Sequence, residues 1–333
     1  MQRTPAPVAN PSTESSPSPM MKKNLTWAAL AMLATVSLAA CSSNLPQSAA
    51  QGDEASASQS ASIQEAPTVD RSGEGNFPAV TGGFGETPTI SAGEGEEPSV
   101  VSAKTLVEGS GKVVGPDDFV LVNYAGVLWD GKPFDSSFER GEPIAFSLNG
   151  VIPGWKYGLA EQKVGDRVQL VIPAQWGYGE QGTQNIPGGS TLVFVVDILN
   201  SADPADNSAL KEATSVDAQL PAGISVEGTL GERPTVTFAK SDTAITDGFT
   251  VLAEGKGAVI TDKDYVVYRV EGALQGSDTP APSTWEQAQI LQPGAAPLAG
   301  KTVGSRLLYT NPGNEQQLAS AAVIDVLAVL SMP

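Results

Sequence analysis

The chain has 333 residues, with 37 acidic against 19 basic side chains, one cysteine and no histidine. The missing histidine excludes Ser-His-Asp and Cys-His nucleophiles and histidine-ligated zinc, and a lone cysteine excludes an internal disulfide or a thiolate metal cluster. The formal charge of −18 argues against nucleic acid as a partner, because a phosphate-binding protein needs a basic face.

The first forty residues have the pattern of a targeting segment. Met21-Lys22-Lys23 forms a short basic region, and an apolar run follows over 25–40 that is too short for a stable membrane span. We interpret 20–40 as a signal peptide, and 1–19 as an upstream extension from a misassigned start. Export is therefore expected.

The only cysteine, Cys41, follows the apolar run directly. Leu38-Ala39-Ala40-Cys41 resembles the lipobox of bacterial lipoproteins, in which cleavage leaves a lipid-modified cysteine at the new N-terminus. This resemblance predicts a protein anchored by lipid to the outer face of the bacterial cell membrane. The alternative is a chance cysteine after an ordinary signal peptide.

Residues 41–76 are dominated by Ser, Ala, Gln, Glu and Gly, with Ile63 and Val69 nearly the only large apolar side chains. Such a composition buries too little surface to offset the entropy lost on ordering. We therefore expect a disordered tether.

The remainder of the chain contains an internal repeat. A shift of 146 residues aligns 85–128 with 231–274, and thirteen of these forty-four positions are identical without a gap. Self-similarity of this length indicates a duplicated domain. The predicted domains are 77–202 and 223–333, joined by a linker over 203–222.

Within the first domain the pattern is mostly that of strands. Alternating or β-branched runs bounded by Gly, Pro and Asp occur at 119–124, 168–172 and 191–199, whereas only 155–162 has a helical pattern. The predicted fold class is α+β, an antiparallel sheet wrapped on one short helix, present as two tandem copies.

Six short motifs in the first domain occur in a recognisable order. They are Val122-Asn123-Tyr124-Ala125-Gly126, Asp130-Gly131-Lys132-Pro133-Phe134-Asp135-Ser136-Ser137, Val151-Ile152-Pro153-Gly154-Trp155, Gly177-Tyr178-Gly179, Ile186-Pro187 and Thr191-Leu192-Val193-Phe194. In order and spacing, 104–200 resembles the FKBP-type peptidyl-prolyl isomerases. The resemblance implies an enzyme that rotates Xaa-Pro bonds in exported or envelope polypeptides.

The resemblance also implies a site. An apolar cleft would be walled by Tyr124, Phe134, Val151, Ile152, Tyr178, Ile186 and Phe194, with Trp155 as its floor. The Ile152 N–H and the Tyr178 hydroxyl would bind substrate carbonyls, and the Asp135 carboxylate would lie beside the reacting amide. Two departures from the family pattern, Ile144 in place of an aromatic residue and a loop after Gly179 that is one residue short, bear on ligand preference.

The reaction implied by this cleft needs no cofactor and no metal. Amide resonance opposes rotation by ~18–20 kcal/mol, and the twisted amide is less polar than the planar one. A dry aromatic pocket therefore binds the transition state better than the ground state. We expect Asp135 to orient and polarise the substrate without acting as a general base.

Several interpretations stay open at this point. Tyr124, Phe146 and Trp155 are each compatible with a plain core role, and at the 146-residue offset Tyr124 becomes Val270 while Phe134-Asp135 becomes Pro280-Ala281. The second copy is thus predicted to keep the sheet without the catalyst. The rival function is a non-catalytic chaperone or surface module that binds polypeptides; a monomer is expected, and a macrolide is the candidate inhibitor.

Overall fold

A computed structural model of the chain describes residues 66–294 and 298–332. The predicted extension, the signal peptide, Cys41 and the tether up to residue 65 lie outside these residues. Across the described ranges, no helix is both long and apolar enough to cross a membrane.

The first half of the described chain, 66–202, contains nine strands and two short α-helices. The strands are β1 (Val69–Asp70), β2 (Val80–Thr81), β3 (Thr89–Ile90), β4 (Val101–Val107), β5 (Phe119–Leu128), β6 (Pro133–Ser136), β7 (Ile144–Ser147), β8 (Arg167–Ile172) and β9 (Leu192–Ala202). The helices are α1 (Ser137–Arg140) and α2 (Pro153–Leu159), and single 3-10 turns occur at Leu148–Gly150 and Ala174–Trp176.

The second half, 203–332, contains one short helix and eight strands. These are α3 (Ser208–Lys211), β10 (Thr214–Ser215), β11 (Ile224–Glu227), β12 (Thr235–Phe238), β13 (Gly248–Glu254), β14 (Tyr265–Leu274), β15 (Gln289–Leu291), β16 (Arg306–Asn311) and β17 (Ser320–Leu330).

Each half is built on one large sheet. The first has the order β1-β4-β8-β9-β5-β6, with β7 also paired to β5, and the second has the order β10-β13-β16-β17-β14-β15. All pairs are antiparallel except β1 with β4. Two separate hairpins, β2-β3 and β11-β12, complete the set.

Helix α2 packs directly on the first sheet, and glycines make this close approach possible. Pro153 supplies the fixed φ angle that suits the first turn, and Trp155 and Leu159 are buried against the sheet. A Cβ atom on Gly154 would lie 2.3 Å from Ile172, and one on Gly158 would lie 2.8 Å from Leu170. The predicted sheet-on-helix arrangement is present, although the helix begins and ends earlier than the predicted 155–162.

The opposite face of the first sheet is covered by the segment before β4. Phe77 and Ile90 pack there against Val127, Val171 and Val193. Few of these backbone positions are in regular structure, since β2 and β3 pair over only two residues each. The hairpin β2-β3 thus forms an added layer on the outside of the sheet.

The tether boundary predicted from composition is wrong at its C-terminal end. Val69 pairs with Val101 in the first sheet, and the Arg71 guanidinium donates hydrogen bonds to the carbonyl oxygens of Tyr157 (2.8 Å), Gly158 (3.2 Å) and Ala160 (2.7 Å). The last carbonyls of a helix have no partner within it, so a cation at this end satisfies them. Residues 69–71 therefore belong to the folded domain.

The two halves share a hydrophobic cluster. Its buried members are Phe119, Leu121, Ala145, Leu199, Ala202, Leu210, Val267, Leu327 and Leu330. Across the same boundary, the Tyr265 hydroxyl donates to the carbonyl of Pro143 (3.1 Å). Within the second half, Arg269 Nη2 on β14 donates to the carbonyl of Pro204 (2.8 Å) at the start of the predicted linker. Leu210 lies on α3, so the predicted linker 203–222 contains a helix whose buried face helps to join the halves.

Candidate active site

Trp155 lies at the centre of an aromatic cluster between α2 and the first sheet. Its ring centroid is 5.4 Å from that of Tyr124, 5.6 Å from Phe146 and 5.3 Å from Phe194, with interplanar angles of 88°, 83° and 81°. Edge-to-face contacts of this kind add to the free energy gained by burial alone. The cluster forms a rigid apolar floor.

Phe134 extends this floor from the edge strand β6. Its ring stands at 88° to that of Phe194, with centroids 5.3 Å apart. Both rings close over Gly126, where a Cβ atom would lie 2.7 Å from Phe134 and 2.9 Å from Phe194. The glycine in the motif around Tyr124 is therefore a packing requirement of the aromatic wall.

The polar side of the site is a three-membered network. The Tyr124 hydroxyl donates to Asp135 Oδ2, and Arg140 donates to Asp135 Oδ1 (2.5 Å) and to the Tyr124 oxygen (3.0 Å). The Arg140 guanidinium also stands 5.5 Å from the centroid of the Tyr124 ring, within the range of a cation–π contact. Arg140 thus holds the carboxylate and the phenol in one arrangement.

The sequence reasoning missed Arg140. It closes the single turn α1, which is capped by the Ser136 side chain and ended by Gly141 at a φ of 79°, in the left-handed region. The Ser136-Ser137 pair followed by a glycine was the available signal for a helical turn that brings a residue back toward Asp135. If that turn is not recognised, the sequence gives no reason to distinguish Arg140 from any other charged surface residue.

The network sets the protonation of both acidic groups. Burial would raise the pKa of Asp135, but hydrogen bonds from Tyr124 and Arg140, together with the arginine charge, lower it overall. Burial, with the hydrogen bond to Asp135, raises the pKa of Tyr124 to about 12. At neutral pH the carboxyl is ionised and the phenol is neutral.

Two of the polar groups predicted to bind substrate have no hydrogen-bond partner among the described residues. Ile152 caps α2 and its carbonyl accepts from Trp155 and Lys156, whereas its own N–H has no acceptor within 66–294 and 298–332. The Tyr178 side chain is 40% exposed, and its hydroxyl likewise has no hydrogen-bond partner in those ranges. Both groups are available to a bound peptide.

The structure brings most of the predicted site residues together. Tyr124, Trp155, Ile186 and Phe194 belong to one buried cluster, and Phe134, Val151 and Ile152 pack against it. Asp135 joins through Tyr124. Tyr178 stands apart from the cluster as an exposed side chain, and the roles of all these residues in binding and catalysis stay predictions.

Similarity to known proteins is concentrated in this half. A family model described as FKBP-type peptidyl-prolyl cis-trans isomerase matches residues 111–199. The FKBP-type isomerase FkpA of Escherichia coli K12 is 46% identical over 112 residues, which is 33% of this chain and 42% of that protein. The isomerase FKBP15-2 of Arabidopsis thaliana is 51% identical over 85 residues, covering 25% and 52%.

Among solved structures, the crystal structure of FkpA from Escherichia coli is 45% identical and covers 32% of this chain and 50% of that one, with a TM-score of 0.30. The chain spans about half, or less, of the length of these curated relatives. The family match begins after the hairpin β2-β3 and ends before the second half.

Proposed function

We propose that this chain, whose residues 111–199 form a domain of the FKBP-type peptidyl-prolyl cis-trans isomerase family, catalyses rotation about Xaa-Pro bonds in polypeptides. The observation that carries the proposal is the aromatic floor around Trp155, with the network of Tyr124, Asp135 and Arg140 beside it. The Ile152 N–H and the Tyr178 hydroxyl, which have no partner among the described residues, are the proposed donors to substrate. Exported or envelope polypeptides are the proposed substrates.

The chemistry follows from the polarity of the site. The proline ring enters the apolar pocket formed by Trp155, Phe194 and Phe134, where little water remains to stabilise the planar, polar amide. Rotation withdraws the nitrogen lone pair from the carbonyl, so the twisted amide is less polar than the planar one. It therefore loses less hydration free energy when it moves from water into the pocket. Each ~1.4 kcal/mol of this difference accelerates rotation about tenfold.

The polar groups orient the chain. The N–H of Ile152 and the hydroxyl of Tyr178 each donate to a substrate carbonyl, which fixes the peptide on both sides of the rotating bond. Asp135 stays ionised because Arg140 and Tyr124 hold it, and it polarises the amide without taking a proton. No covalent intermediate is needed.

The test is a proline-peptide isomerisation assay on the full chain. Tyr178→Phe removes one donor, and we expect kcat/KM to fall about tenfold, the value of one hydrogen bond of ~1.4 kcal/mol. Tyr157→Phe is the matched control, because Tyr157 lies on α2 outside the cleft. Absence of acceleration by the wild-type chain would refute the proposal.

We further propose that the second half is a degenerate copy of the first. Two features support this. The four central strands of the sheets follow the same order, β4-β8-β9-β5 and β13-β16-β17-β14, and each sheet contains a buried Arg-Asp pair, Arg167–Asp197 and Arg306–Asp325, on corresponding strands. When these pairs are superposed in register, Phe194 corresponds to Ala322. We expect a chain cut to 203–333 to fold but not to accelerate isomerisation of a proline peptide.

A non-catalytic polypeptide-binding role is the second candidate for this half. A sheet that has exchanged the aromatic wall for small residues is what a holdase would need, since binding without turnover requires no twisted-amide pocket. Suppression of aggregation that is as strong with Tyr178→Phe, in which isomerisation is expected to be slowed, as with the wild-type chain would support this role.

The lipid anchor is proposed on the sequence around Cys41. Incorporation of labelled palmitate into the full chain, abolished by Cys41→Ala, would support it; release of the unmodified protein into the soluble fraction would refute it. A macrolide that competes with the proline peptide would support the proposed inhibitor class.

A further inference from the structure

Each half has a groove at the same place, between its added hairpin and the edge of its sheet. The groove of the first half measures about 620 Å³ and that of the second about 680 Å³. At the 146-residue offset, Pro88 and Thr89 in one correspond to Pro234 and Thr235 in the other, and all four line their grooves. Such volumes are typical of ligand sites.

One wall of the first groove, the one formed by the hairpin, lies outside the family match. Residues 87–90 line it from the hairpin, whereas the match begins at 111. Arg167 fixes this wall, because its guanidinium donates to the carbonyls of Gly82 (2.7 Å) and Glu86 (2.6 Å) while paired with Asp197. The hairpin wall of the groove is therefore held in a defined position by buried contacts with the sheet.

The first groove is continuous with the candidate active site. Phe134, Asp135 and Arg140 line the groove, and the same three residues form the wall and the polar network of the cleft. A peptide whose proline lies in the cleft can thus continue into the groove without leaving the surface.

The lining defines the chemistry of the occupant. Ile90, Val127 and Pro133 contribute apolar surface, and Thr89 and Ser136 contribute hydroxyl groups that can bind a main chain. The charged lining residues, Asp135, Glu139 and Arg140, leave a net charge of only about −1, so the groove offers no strong attraction to a charged ligand.

We propose that this groove binds an extended, uncharged segment of the client polypeptide next to its proline, as a subsite added to the family's cleft. The inference rests on the proposed function. It implies that the enzyme works better on long unfolded chains than on short peptides, because groove contacts lower the KM only when the substrate is long enough to make them.

Thr89→Trp tests the proposal by filling the groove with a bulky side chain. Thr81→Trp is the matched control, because Thr81 is the cross-strand partner of Thr89, is also exposed and does not line the groove. The substrates are a proline tetrapeptide and the same proline within an uncharged peptide of about twelve residues, long enough to fill both cleft and groove.

We expect Thr89→Trp to lower kcat/KM about five-fold or more for the long peptide, mainly through KM, and to leave the tetrapeptide within about two-fold of wild type. Equal losses on both substrates, or an equal effect of Thr81→Trp, would overturn the proposal. Thr87→Trp blocks the same groove from a second exposed position, should Thr89→Trp fail to fold.

The outcomes also separate this inference from the proposed function. A wild-type chain that accelerates neither peptide refutes the isomerase, but the groove is still tested by fluorescence anisotropy of the labelled long peptide. Binding to wild type and to Thr81→Trp, weakened by Thr89→Trp, would support the groove alone. Equal binding by all three would refute it.

Discussion

Arg167 is the residue whose loss should most damage the added hairpin. Its side chain is fully buried and donates to both oxygens of Asp197 and to the carbonyls of Gly82 and Glu86. Arg167→Met keeps much of the volume but leaves a buried carboxylate without its counter-charge and two carbonyls without donors. Removing one partner of a buried pair costs ~3–5 kcal/mol, so we expect this loss in the free energy of unfolding.

Urea unfolding measures this loss, and hydrogen exchange at Ser91, whose N–H is bonded to the Ala79 carbonyl, reports on the hairpin itself. Adding Asp197→Asn to Arg167→Met should recover part of the loss, since it removes the stranded charge. Arg233→Met is the control: its side chain is 49% exposed, and surface pairs contribute only ~0–1 kcal/mol. A loss below ~1 kcal/mol for Arg167→Met would refute the reasoning.

Three further predictions concern the first half. Arg71→Ala should lower the free energy of unfolding by ~1–3 kcal/mol in urea, because three carbonyls at the end of α2 lose a charged donor. The rate of isomerisation should be independent of pH from about 6 to 9. The lowered pKa of Asp135 keeps the carboxyl ionised, and the pKa of Tyr124, raised to about 12, keeps the phenol neutral. A step near neutral pH in the rate profile would contradict this. Gly126→Ala should reduce kcat/KM about tenfold, since the new methyl group would displace Phe134, and a rate equal to wild type would show that the wall tolerates the shift.

The sequence predicts best what depends on short-range pattern. The strand pattern at 168–172 falls within β8. Trp155 and Phe194 each end one of the six motifs, and they meet in the buried cluster as the resemblance to the FKBP-type isomerases implies. The aromatic floor was therefore foreseeable from motif order.

Contacts between residues far apart in the chain were not foreseeable. The strand β1 has two residues and pairs with a partner thirty-two positions away, and Arg71 reaches α2 across 86 to 89 positions. Composition assigns residues 69–71 to a tether because it averages the residue types over a window of neighbouring positions. Their structure is decided instead by the pairing of Val69 with Val101 and by the hydrogen bonds of the Arg71 guanidinium. Arg140 was missed for a related reason, since its contacts with Asp135 and Tyr124 depend on the single helical turn α1, which Ser136 begins and Gly141 ends.

The two buried Arg-Asp pairs connect these observations. A buried ion pair is weak evidence for stability, because its desolvation offsets much of the attraction. Each of these arginines also binds two carbonyls of the neighbouring hairpin: Arg167 holds Gly82 and Glu86, and Arg306 holds Thr229 and Glu232. The pair therefore specifies where a hairpin sits, which an apolar replacement could not do.

The pair and the groove occur together in both halves, whereas the aromatic wall occurs at Tyr124, Phe134 and Phe194 but not at the corresponding Val270, Pro280 and Ala322. A hairpin that served only the isomerase would have no reason to be fixed in the second half. Its presence there follows if the groove binds polypeptide in its own right, both in the first half, where it meets Asp135 and Phe134, and in the second half, where the aromatic wall is missing.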